Sequence, residues 1–204
     1  MASEVSICNL ALSHIGDRAT VSSLSPPEGS AQAEHCARFY PQARDTMLEM
    51  HAWGFATKRV ALADLSLVAT VPSPWLYAYR VPADSIRIIS VLGPEAQSDA
   101  ESEPYEMEQG TDGSTVLYSN VEDAVCRYTA RVPDPNKFPP LFVDALSWLL
   151  ASMLAGPVLK GQTGVTAARS CYEKYLQVFF LAARSDANQR KNKPTHTAPW
   201  ISAR

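Results

Sequence analysis

The stretch AVCRYTARVPDPNKFPPLFVDALSWLLASMLA, Ala124 to Ala155, decides how this chain is built, because its hydrophobic period changes half-way along. In the first part Cys126, Tyr128, Ala130 and Val132 alternate with Arg127, Thr129 and Arg131, the period of a strand with one buried and one wet face. The segment VPDPNKFPP then stops the strand, since proline donates no ladder hydrogen bond. From Pro140 to Ala155 the chain reads as an apolar helix. That run is shorter than the roughly 20 residues needed to span a bilayer and carries Asp144, so it is read as a core helix.

Upstream, the β texture reaches back to Lys58 through short runs: KRVALA, SLVATV, WLYAYRV, IRIISVL and STVLYS. Asp112-Gly113 marks a hairpin turn. Between Tyr77 and Val91, Pro82 and Asp84 separate two strand runs, so a corner is expected there, with Asp84 bonding neighbouring backbone to hold the turn. A sheet or small barrel is the expected result.

Helices flank this region on both sides. Val5, Cys8, Leu12 and Ile15 recur at helical spacing after Ser3, a capping residue, and Gly16 stops the run. A second pattern from about Ser30 to His51 places Cys36, Phe39, Tyr40, Ala43, Met47 and Met50 on one side. Pro41 inside it predicts a kink, or a short helix joined to a longer one at Tyr40. A last helix is predicted from about Val165 to Arg184, with Ala168, Tyr172, Tyr175, Phe179 and Ala182 on one face.

The expected fold is therefore α+β: a helical bundle formed by the N- and C-terminal helix pairs, with an inserted antiparallel β domain and an extended C-terminal arm. The expected boundaries are 1–56 and 137–184 for the two halves of the bundle, 57–136 for the β domain and 185–204 for the arm.

With 46% hydrophobic and 19% charged residues and a net charge of -3, the composition is that of an ordinary soluble domain and gives no global drive toward nucleic acid or membrane. Cys8, Cys36, Cys126 and Cys171 form no Cys-x-x-Cys pair and have no histidine at ligand spacing, so they read as separate buried thiols in a reducing compartment. No secretory signal pattern opens the chain.

Chemical motifs fail on their own terms. The stretch GPVLKGQT, Gly156 to Thr163, has the glycine spacing of a P-loop but places Gln162 where the phosphate-binding lysine belongs, and it follows a helix instead of a strand. It reads as a tight connection between antiparallel helices. The four histidines are scattered, and His35 beside Cys36 points a different way from its neighbour on a helix. Neither Gly-x-Ser-x-Gly nor His-Glu-x-x-His occurs. No catalytic residues, no cofactor and no metal are expected, and the chain is read as a non-enzyme.

Two charge blocks remain. Between Glu95 and Asp123 lie nine acids and no lysine or arginine, with Glu101, Glu103, Glu106, Glu108 and Asp112 at its centre. From Arg184 onward there are five basic residues against Asp186 alone, and APWIS lies near the end of the segment. Arg190, Lys191, Lys193 and Arg204 supply charge there, while Trp200 and Ile201 offer an apolar anchor that a purely solubilising tail has no use for.

Several stretches in succession carry a family resemblance: ICNLALSHIGD, SLSPPEGSAQA, CARFYPQARDTMLEMHAWGFA and YAYRVPADSIRI. Their order and spacing over about residues 5 to 92, with the later helices matching more loosely, resemble the head-to-tail adaptors of short-tailed bacteriophages, the tail tubular protein A family. Pro41 departs from the smooth helix expected there. The resemblance implies a structural virion protein of the tail or neck, made in the host cytoplasm. It implies a homo-oligomeric ring, a dodecamer, that binds the portal protein on one side and the tail nozzle protein on the other. DNA passes through its channel without sequence-specific binding, and no membrane is involved. On this reading residues 185–204 form an arm that orders on the portal, and the acidic segment faces the nozzle or the channel. A different class stays open: a soluble nucleic-acid-binding or regulatory module working through its basic C-terminal tail.

Overall fold

A computed structural model describes residues 2–65, 74–110 and 112–189. Among the described residues the chain is mixed α+β, with four α-helices and two antiparallel sheets. The expected strand SLVATV falls wholly within residues 66–73, and the tail residues Arg190, Lys191, Lys193, Trp200, Ile201 and Arg204 fall on 190–204; both lie outside the described residues.

Helix α1, Glu4–His14, starts at a reciprocal cap: Ser6 N–H donates to Ser3 Oγ at 3.0 Å and Ser3 N–H donates to Ser6 Oγ at 2.8 Å. The chain leaves it through Gly16 at φ +77°, a conformation glycine adopts without a Cβ clash. Helix α2, Ala31–Met50, is one continuous helix and not two joined at Tyr40. Pro41 sits on its exposed side, so the carbonyl deprived of a partner one turn back is not forced into the core.

The strands are β1 (Thr57–Ala61), β2 (Ala63–Asp64), β3 (Tyr77–Arg80), β4 (Ser85–Leu92), β5 (Tyr105–Gln109), β6 (Thr115–Ser119) and β7 (Val125–Ala130). One sheet has the order β1-β7-β4 and the other β2-β3-β6-β5. The corner at Pro82 to Asp84 thus carries the chain from one sheet into the other. Its turn is closed by Ser85 N–H donating to the Pro82 carbonyl at 2.9 Å. The Asp84 carboxylate spans the sheet, accepting from Lys58 Nζ at 2.6 Å and Tyr128 Oη at 2.9 Å. The sheets also meet where β1 runs on into β2 and where Glu103 N–H donates to the Val91 carbonyl at 2.8 Å. Strand β5 is not among the expected strands: YEMEQ alternates, but its two glutamates are residues depleted in strands and mask the β signal. Gly113, at φ +80°, sits in the turn joining it to β6.

Helix α3, Pro140–Leu159, and helix α4, Gly161–Ala187, are both longer than expected, because Pro157 and Gly161 fall inside helices. Lys160 alone connects them, at φ +56°. They pack antiparallel: a Cβ on Gly164 of α4 would lie 2.9 Å from the Ala155 carbonyl of α3, while Phe142 and Phe179 both reach Trp53 at the other end. All four helices feed one apolar core, which also takes in Trp53 and Phe138; the sheets enclose a second core around Tyr79, Leu117, Cys126 and Tyr128. Trp53 and Phe55 therefore lock onto α3, α4 and Phe138. The seam between the cores is crossed by Arg131 Nε to Asp45 Oδ2 at 2.9 Å and by Arg87 Nη1 to the Glu49 carbonyl at 3.1 Å.

Candidate interaction surfaces

Helix α4 buries Cys171, Tyr175, Val178, Phe179 and Ala182 on one face. Beside that face Val165, Tyr172, Leu176 and Phe180 follow one another at spacings of seven, four and four, so they form a second stripe along the same helix. Val165, Tyr172 and Phe180 are 62%, 47% and 67% exposed. Leu181 is exposed as well. Single exposed apolar residues are ordinary, but a stripe running several turns of one helix is the mark of a surface that meets another molecule. Helix α4 ends at Ala187, immediately before the basic tail.

The root of that tail is fixed. Asp186, expected to belong to the arm, is buried in α4, and its Oδ1 accepts the Gly54 N–H at 2.8 Å while Oδ2 lies 3.2 Å from His51 Nε2. Helix α4 thus continues past Arg184, and the expected start of the arm at residue 185 lies inside the helix.

The acidic block divides in two. Asp99 accepts from Arg59 Nη2 at 2.8 Å and from Arg127 Nη1 at 2.5 Å, so basic residues distant in sequence neutralise it. Glu101, Glu103, Glu106 and Glu108 are exposed along or just before β5, and none has a cationic partner among the described residues. Glu106 accepts from Trp75 Nε1 at 3.0 Å. Asp112 stands apart in the hairpin turn, where bonds from the Ser114 hydroxyl and backbone N–H hold its carboxyl below the ordinary range.

Two pairings escaped sequence reading because their members are far apart along the chain. His14 Nε2 lies 3.0 Å from Ser147 Oγ, and its ring stacks on Trp148 at 3.6 Å. Ser147 is fully buried and its hydroxyl donates to the Asp144 carbonyl at 2.7 Å, an arrangement that ties α1 to α3 and gives a substrate no approach. Cys8 and Cys36, read as separate thiols, are neighbours across α1 and α2; hydrogen bonding with Cys36, and then burial, push the Cys8 thiol well up. Met50, expected on the buried side, is 45% exposed and meets Tyr175 Oη through its sulfur. Among the described residues no group of His, Cys, Asp and Glu is arranged to hold a metal ion. Helix α3 is long and apolar enough to cross a membrane by length and composition, and half of its most apolar window is buried within the fold.

No family model matches this chain, and no curated protein matches it in sequence.

Proposed function

We propose that this chain is a structural subunit of a ring adaptor between the portal and the tail nozzle of a short-tailed bacteriophage, built as a helical bundle from both chain ends with a β domain inserted. The observation that carries the reading is the exposed apolar stripe of α4, Val165, Tyr172 and Phe180, leading directly into a basic C-terminal segment. A ring needs two different complementary flanks on every subunit, and an apolar helix face is one such flank. The unpaired glutamates near β5 supply a second surface of different chemistry, one that repels DNA phosphates. In this reading residues 190–204 reach the portal, with Trp200 and Ile201 as anchor and Arg190, Lys191 and Lys193 steering toward acidic surface.

The test is native mass of the full chain, alone and with the portal protein of the same virus. The wild-type chain is expected to join a ring on the portal. Val165→Ser with Phe180→Ser, at exposed positions, should keep the fold and lose the ring. Deleting residues 190–204, which spares Asp186, should keep the thermal midpoint and weaken portal binding by at least about 30-fold, the effect of losing a hot-spot aromatic worth about 2 kcal/mol or more. A monomer indifferent to portal, whose tail binds nucleic acid, gives the ring reading up.

A further inference from the structure

Strands β1 and β5 end their sheets, and both are exposed along nearly their whole length. Strand β4, the other long edge, is flanked by α2 and bridged to Glu103, and β2 is two residues long. Which backbone groups face outward on β1 and β5 follows from their ladders. Leu62 N–H donates to the Ala124 carbonyl, and the register of β1 on β7 continues from that pair, so Lys58 and Val60 bond inward. Thr57, Arg59 and Ala61 then turn away from the sheet; the Thr57 N–H is taken by the Gly54 carbonyl, which leaves the Thr57 C=O and both backbone groups of Arg59 and Ala61 for a neighbour. Gly110 N–H donates to the Ser114 carbonyl, and the same alternation along β5 sends Tyr105, Met107 and Gln109 outward.

The two edges are alike in length and opposite in charge. Strand β5 carries Glu106 and Glu108 with no cation against them; β1 carries Lys58 and Arg59, which stay 58% and 47% exposed although Asp84 and Asp99 touch them. We propose that the open edge of β5 in one copy of this chain pairs antiparallel with the open edge of β1 in the next, making a sheet continuous between subunits. The proposal rests on the ring reading above and deepens it. Setting Arg59 against Met107 of the next copy aligns all three outward positions on each strand. It also places Lys58 directly opposite Glu108, where cross-strand side chains lie closest. The contact uses two different edges, as a closed ring of identical subunits requires, and two β5 edges would set glutamate against glutamate.

Native mass of the full chain, with and without portal protein, tests this. Met107→Pro and Ala61→Pro each remove an N–H that points away from the chain's own sheet, so circular dichroism and the thermal midpoint should stay near wild type. Each should weaken subunit association by about tenfold or more, through a lost hydrogen bond and a blocked approach. Glu108→Lys and Lys58→Glu should each weaken it by up to about fivefold, and the double variant should return to within about twofold of wild type. A chain that assembles equally well with Met107→Pro, or a double reversal that recovers nothing, overturns the edge pairing and leaves these charges as guards against random strand addition. That outcome spares the ring; a wild-type chain that never self-associates, with or without portal, overturns the ring reading itself.

Discussion

Trp53 and Tyr79 are both large, fully buried aromatics, yet each holds its surroundings by a different means. Among the described residues Trp53 lies in a core of 30 and meets Phe142 and Phe179 edge-on at centroid distances of 5.0 and 6.0 Å; its one polar atom donates to the Met47 carbonyl at 2.7 Å. Tyr79 belongs to a core of nine among the described residues, and its hydroxyl works at the rim: it donates to the Val121 carbonyl at 2.5 Å and lies 3.4 Å from the Ala124 N–H. The helical region is thus held by apolar area, while the β region, with a thinner core, depends on polar staples across its turns and corners.

That contrast is broken or sharpened first by Trp53→Ala. Removing the indole leaves a cavity between α3, α4 and the end of α2 and strands the Met47 carbonyl, so the expected cost is about 4 kcal/mol, or about 10 °C in Tm. Thermal and urea unfolding measure it. Tyr79→Phe keeps the ring and deletes only the staple, and should cost about 1 to 2 kcal/mol. Its loss should be local, with faster amide exchange around Val121 to Ala124 and unchanged protection in α3. A Tyr79→Phe chain as damaged as Trp53→Ala would show that the β region has no smaller, separable stability and would break the comparison.

The same contrast explains what the sequence made legible. Helix faces and alternating strands are written in nearest-neighbour periodicity, so α1, the buried side of α2, β7 and the hairpin at Gly113 stood out. Helix limits were underestimated because Pro157 and Gly161 are breakers that tertiary packing overrode, with Gly164 pressed against Ala155. Strand β5 hid behind its glutamates. The polar staples were invisible for a simpler reason: Asp84 with Tyr128, Asp99 with Arg127 and His14 with Ser147 are brought together only by the fold, and no local spacing encodes them. Tyr172, expected on one face with Tyr175 and Phe179, is instead exposed in the neighbouring stripe of α4, because spacings of three and four fit both sides of a buried face and only packing chooses between them.

The smallest effects should appear on acidification, where the two regions respond in separate pH windows. On the helical side, burial against Trp148 lowers the His14 pKa, and the opposing pull of Asp144 is the weaker influence. The unfolded chain, in which a histidine titrates near about 6.5, then takes up the proton more readily than the folded one. Stability is complete above that value and declines as pH falls from it toward the lower folded value. On the β side, hydrogen bonding from Lys58, and then from Tyr128, lowers the Asp84 pKa although burial opposes them. Its contribution is complete above about 3.9, the ordinary aspartate value, and is lost as pH falls through the lower folded one. His14→Phe, which keeps a ring on Trp148, should flatten the decline between about pH 7 and 5, whereas Asp84→Asn should leave that interval alone and flatten the decline below about pH 4. With 38% of the Asp84 side chain exposed, water and salt screen its pairing, and the second effect should stay well under about 1 kcal/mol. Urea midpoints at pH 7.5, 5 and 3 measure both. An unchanged slope between pH 7 and 5 in His14→Phe would mean that the acid response of the helical side comes from groups other than its half-buried histidine.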